Sequence, residues 1–117
     1  MVSQIVAEMN FFKVFDHVVR MKLLFISTHK LFTPGETIIT MEELDSKIVV
    51  VLSGVVQLMV VEADGSEFHR MVLYPGDSIG QNPSELYMTR AGQRIYVKST
   101  SITDVITMNK IDLPDVL

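Results

Sequence analysis

From Thr28 onward the sequence is a succession of short β-branched runs cut by turn residues at regular intervals, the pattern of an antiparallel sandwich or barrel. Strands are expected near His29 to Phe32, Thr37 to Thr40, Lys47 to Leu52, Val55 to Val61, Phe68 to Tyr74, Ile95 to Ser99 and Thr103 to Met108. "TPGE" at Thr33 to Glu36 and "YPGD" at Tyr74 to Asp77 place proline and then glycine where a type II turn wants them, and "ADGS" at Ala63 to Ser66 reads as a hairpin turn. Gly54, between two apolar runs, marks a tight connection or a bulge.

Ahead of these runs, Ser3 to about Leu24 carries a helical period, with Ile5, Met9, Phe12, Val19 and Leu23 on one stripe. One long helix is expected there. Phe11, Val14, Val18 and Met21 make a second apolar stripe, which points to a partner: a second copy in a homodimer, or a parent chain. At the other end, "NKIDLPDVL" reads as the start of a helix with Pro114 near its first turn. Eight methionines among 117 residues fit adaptable core filling or a forgiving contact surface.

The length suits one domain with its own core, and 48% apolar residues argue against a disordered chain. A net charge of −4, with the basic residues scattered, leaves no electrostatic footprint for nucleic acid. The absence of cysteine and of a signal pattern fits a cytoplasmic, reducing setting, and "IVVVLSGVVQLMVV" at Ile48 to Val61 is too short and too interrupted to insert in a membrane. His17, His29 and His69 stand on separate elements without metal-ligand spacing, Ser53 and Ser78 belong to no nucleophile pattern, and "EELD" at Glu42 to Asp45 reads as a solvated turn. Neither a metal, a cofactor nor a catalytic residue is expected.

The stretch "LYPGDSIGQNPSELYMTRAG", Leu73 to Gly92, is longer than chain reversal requires. A glycine at 80 allows close backbone approach, Ser84 to Leu86 can form a helical turn after Pro83, and the N–H groups at such a turn favour an anion. Arg90, ten residues after Gly80, adds a charge-assisted contact suited to phosphate. Read only as residues, the same pair also fits a turn followed by a solvated surface charge.

With "LFTPGETII", "VVVLSGVVQLMV", "LYPGDSIGQ" and "TRAG" in this order, the chain resembles the cyclic-nucleotide-binding domain family over nearly its whole length. The resemblance implies a mainly β fold with flanking helices, an antiparallel double-stranded β-helix or jelly-roll-like β-roll. Residues 1–27 would form the N-terminal helical segment, 28–108 the roll with a phosphate-binding cassette at 79–92, and 109–117 the start of a short C-terminal helix. It further implies that Gly80 and neighbouring amides meet the cyclic phosphate, that Arg90 neutralises it and that Ala91 adds an N–H. Gln81 stands where the family has a glutamate that accepts from the ribose, and Val56, Leu58 and Met71 would face the purine, although such apolar residues more often serve as plain core. Arg94 competes for the arginine's role, because the segment after Arg90 is about three residues longer than the family pattern.

On this reading the chain is a regulatory sensor for cyclic AMP or cyclic GMP that does no chemistry on its ligand and relays binding to flanking helices or a parent protein. The rival is a degenerate domain that keeps the roll without the nucleotide and serves as an interaction or oligomerisation module. Gln81 and the longer segment favour the rival; the Gly80-to-Arg90 spacing favours the sensor.

Overall fold

The structure, a computed structural model, describes residue 13 and residues 15–113. Helix α1 (His17–Ile26) leads into β1 (Thr28–Phe32) and β2 (Thr37–Thr40), and a single helical turn, α2 (Met41–Leu44), precedes β3 (Lys47–Ser53). Then come β4 (Val56–Val61), β5 (Glu67–Leu73), β6 (Ser78–Ile79), a 3-10 turn (Ser84–Tyr87), β7 (Arg94–Ser99), β8 (Thr103–Asn109) and a last 3-10 turn (Lys110–Asp112). Two antiparallel four-stranded sheets, ordered β1-β8-β3-β6 and β2-β7-β4-β5, face each other. This is the mainly β roll that the strand pattern and the resemblance imply, and the seven expected strands lie within a residue of their expected ends.

Burial explains the composition of β3. Val49 and Val51 point into the core between the sheets, with Val56, Leu58, Val60, Val97 and Val105, while Ile48 and Val50 point out and are covered by Leu23 of α1. A strand covered on both faces has no polar side, so its sequence runs apolar without alternation. Ile106 and Met108 of β8 complete the surface on which α1 rests.

Two expectations need correction. The helix expected from Ser3 to about Leu24 is interrupted at Asp16, whose extended backbone (φ −72°, ψ 172°) and side chain, accepting from the Val19 N–H at 2.9 Å, start α1 at His17. An N-cap aspartate satisfies a first-turn amide and so favours a new helix start over continuation. The expectation for residues 1–12 and 14 lies outside the described residues. "EELD" is not a solvated turn: Glu43 accepts from the Thr40 N–H and hydroxyl to open α2, and Leu44 is fully buried. At the C-terminal end the described residues close with the 3-10 turn, and the stretch from Pro114 lies outside them.

The two sheets meet tightly at the β3–β4 corner, where Gly54 (φ +87°) leaves no room for a side chain: a Cβ there would fall 2.5 Å from the Ile102 carbonyl oxygen. Both strained φ and overpacking oppose substitution. Gly54→Ala should therefore destabilise the chain by about 2–4 kcal/mol, read as a lower denaturation midpoint in urea.

Candidate functional site

The long connection begins with a backbone contact. Gly80 (φ +108°) lies against the start of β3 so closely that a Cβ would stand 2.3 Å from the Lys47 carbonyl oxygen and 3.1 Å from the Ile48 Cα. Glycine is demanded here by the fold itself. The chain then passes Pro83, which has no N–H, into the 3-10 turn, where the buried Ser84 donates its N–H to Asp45 Oδ1 at 3.1 Å and its hydroxyl to Oδ2 at 3.3 Å. A carboxylate thus already holds the amide at the turn's start, the position expected to attract a ligand anion. Tyr87 and Met88 fold inward against the core and leave Leu86 outside.

The end of the connection is organised by a side chain that sequence reasoning missed. Gln93 is buried, and its Oε1 accepts from the Thr89 N–H (2.7 Å), the Thr89 hydroxyl (3.0 Å) and the Arg90 N–H (3.1 Å). Its Nε2 donates to Glu62 Oε1 at 3.0 Å, the same oxygen that accepts from Arg90 Nη2 at 2.7 Å. Glu62, 28 positions before Arg90, gave no local signal of this link. The Arg90 side chain is nonetheless 69% exposed. Arg94 lies elsewhere, with Nη2 3.1 Å from Glu42 of the α2 turn, and Ala91 is exposed in the loop. Replacing Gln93 by leucine would strand the Thr89 and Arg90 amides. The expected cost of Gln93→Leu is about 1–3 kcal/mol in a urea denaturation experiment, with an unchanged slope.

Between the two ends of the connection lies the inner face of β5. Residues paired across antiparallel strands share a face, and Phe68 pairs with Val60 and Met71 with Leu58, both core residues, with Arg70 bulged between. β5 is the edge of its sheet, and the facing edge strand β6 has two residues, so this inner face is left partly uncovered: Phe68 is 40% and Met71 39% exposed. An open depression of about 420 Å³ is lined by Met71, Leu73, Asp77, Ser78 and Gln81, and a second of about 620 Å³ by Glu62, Asp64, Glu67, Phe68 and Arg90. Gln81 Nε2 donates to the Ser78 hydroxyl, which leaves its carbonyl oxygen to accept.

The expected site residues therefore divide. Gln81 and Met71 share one depression and Arg90 borders the other, while Gly80 is spent on the β3 contact. Val56 and Leu58, expected to face a purine, are completely buried among core side chains, so they back the wall and do not line it. Phe68 takes that lining position. The alternation of β5 points to it once the bulge at Arg70 is known, and the bulge has no sequence signature.

Glu62, Asp64 and Glu67 make the charge at the second depression predominantly negative, against Arg90 alone. Asp64 is held below the usual carboxylate range, chiefly by the Ser66 hydroxyl and N–H, with Arg90 a smaller influence. The Tyr96 hydroxyl donates to Glu67, and this bond, helped by burial, pushes the phenol from 10.0 up to about 12. The protonated phenol is favoured by folding, so this contribution is complete below pH 10 and lost as pH rises from 10 toward 12. In denaturation curves across that window, wild type should lose more stability than Tyr96→Phe.

No protein-family model and no curated protein sequence matches the chain. Solved structures do. A regulatory subunit of a cAMP-independent protein kinase A from Trypanosoma brucei, in a mutant form bound to cAMP, superposes with TM-score 0.73 at 23% identity over 91% of this chain and 38% of that one. The corresponding subunit from Trypanosoma cruzi, bound to guanosine, gives 0.71 at 23% identity over 97% and 41%. The regulatory domain of Toxoplasma gondii protein kinase A with cAMP gives 0.72 at 20% identity over 98% and 42%. The chain spans about two fifths of the length of these structures. At such identities the shared property is the fold, and the chain has the fold of cyclic-nucleotide-binding regulatory domains.

Proposed function

We propose that the chain is a regulatory sensor domain that binds a cyclic purine nucleotide, cyclic AMP or cyclic GMP, along the inner face of β5. The observation that carries this reading is the exposed Arg90 guanidinium, fixed at the end of the long connection and bordering the same depression as Phe68. Arg90 meets the cyclic phosphate, Phe68 and Met71 offer apolar surface to the base, and the Gln81 carbonyl oxygen accepts from a sugar hydroxyl. Phe68 and Met71 lie three positions apart on one strand, roughly 10 Å, which a nucleoside phosphate spans. The fold supports this reading because similar structures hold cAMP or guanosine. The Trypanosoma brucei mutant bound to cAMP has a Thr-Val pair replaced by Arg-Ala, and this chain carries Arg90 followed by Ala91.

No chemistry is done on the ligand; binding shifts a population. The relay runs through Gly80, which touches Lys47 and Ile48 at the start of β3, and Ile48 is part of the surface that holds Leu23 of α1. A change in the connection thereby reaches α1 in two contacts, and the output lies in a longer parent protein.

The second reading, an interaction module without a nucleotide, is favoured by the outer face of α1. Val18, Met21 and Phe25 are exposed at helical spacing, Phe25 by 90%. Calorimetric titration with cyclic AMP, cyclic GMP and guanosine separates the two. The sensor predicts a micromolar Kd, about −8 kcal/mol, for one cyclic nucleotide. Arg90→Ala should weaken it at least about tenfold while leaving the denaturation midpoint nearly unchanged, because the arginine of the pair is largely exposed and Glu62 keeps its hydrogen bond from Gln93. Absence of heat up to millimolar ligand, with folded protein, favours the interaction module.

A further inference from the structure

The acidic partner of Arg90 determines how any anion reaches it. We infer that Glu62 occupies the anion position of Arg90, so that a phosphate-bearing ligand binds by exchange with the Glu62 carboxylate and not by filling an empty site. The inference rests on the reading of Arg90 as the phosphate ligand.

The geometry is that of an internal substitute. The 2.7 Å contact from Arg90 Nη2 to Glu62 Oε1 has the length of a charge-assisted bond, the kind a phosphate oxygen makes with a guanidinium. The partners are unequally placed: the Glu62 side chain is 18% exposed and is held by the Gln93 amide, whereas Arg90 is 69% exposed. Gln93 also fixes the Arg90 N–H, so one buried side chain sets both members of the pair. An incoming anion needs no rearrangement of the fold. It has only to turn the guanidinium away from Glu62, which keeps its hydrogen bond from Gln93 and is not left without a partner. Glu62 then acts as a selectivity threshold, because weakly bound anions do not displace it, while a ligand that also covers Phe68 and Met71 has additional contacts to offset the exchange. Asp64 and Glu67 line the same depression without a direct bond to Arg90, so their influence is a diffuse field.

The test compares wild type with Glu62→Gln, which keeps an acceptor oxygen for Gln93 and removes the charge, and with Asp64→Asn, which removes an equal charge nearby. Each protein is titrated with cyclic AMP and cyclic GMP by calorimetry and with inorganic phosphate by NMR of the Arg90 side-chain N–H. Exchange predicts that Glu62→Gln tightens cyclic-nucleotide binding about three- to tenfold and lowers by a similar factor the phosphate concentration that shifts the Arg90 signal, with a clearly smaller effect for Asp64→Asn. Equal nucleotide affinity in wild type and Glu62→Gln overturns the inference and leaves the sensor reading standing. Equal gains in both variants also overturn it, since the effect is then one of net charge. If neither protein binds a nucleotide but phosphate engages Arg90 more readily in Glu62→Gln, the sensor reading falls and the exchange stands. An Arg90 signal that ignores phosphate in Glu62→Gln overturns it outright.

Discussion

The contact of Gly80 with the backbone of Lys47 is the constraint on which the rest of the arrangement depends. It pins the exit of β6 to the start of β3, the strand that is covered on both faces and carries the inner core on one side and the α1 surface on the other. Because the approach is too close for any side chain, the long connection leaves the sheet at one fixed point. Its remaining residues then arch over the open edge toward the β4–β5 turn. What a resemblance offers as a ligand glycine is first a structural one, and its proximity to Ile48 gives the connection a short mechanical route to the helix.

Along this arch, polar groups that resemble ligand groups already have partners in the protein. Asp45 holds the Ser84 amide, Gln93 holds the Thr89 and Arg90 amides, and Glu62 holds the Arg90 guanidinium. Such bonds lower the cost of ordering a loop that carries few apolar anchors, here Tyr87 and Met88. They also mean that binding an anion is a trade between acceptors, whose net free energy is smaller than the new contact alone would give. A domain built this way keeps its loop in place through its own hydrogen bonds, and on the proposed reading it responds to a ligand through the difference between the Glu62 carboxylate and a phosphate as partners of Arg90.

The sheets were legible because burial imposes period and composition over many residues at once: each strand in the two sheets, apart from β6, could be placed from turn chemistry and β-branched runs. Strand β6 was not, since two residues carry no period, and the break at Asp16 was masked by apolar residues that continue the helical stripe across it. Of the site, the Gly80-to-Arg90 spacing could be read, as could the turn after Pro83. The partners could not. Glu62, Gln93 and Asp45 act across distances of up to 39 positions, and nothing in the local sequence of a glutamate or an aspartate says which amide or guanidinium it will meet. The depth of Val56 and Leu58 has the same origin: the resemblance offers them to a purine and their apolar character offers them to the core, and only the packing of the two sheets shows that they are completely buried.

The central claim is that the connection and the inner face of β5 form one ligand site coupled to α1. Its most direct measurement is a backbone-amide NMR titration of the chain with cyclic AMP, repeated with cyclic GMP. The account predicts saturable shifts for one of them at Glu62, Phe68, Met71, Gln81 and Arg90, with smaller accompanying shifts at Lys47, Ile48 and along α1. Shifts that avoid Phe68, Met71 and Arg90, or unchanged spectra at millimolar nucleotide, would contradict it.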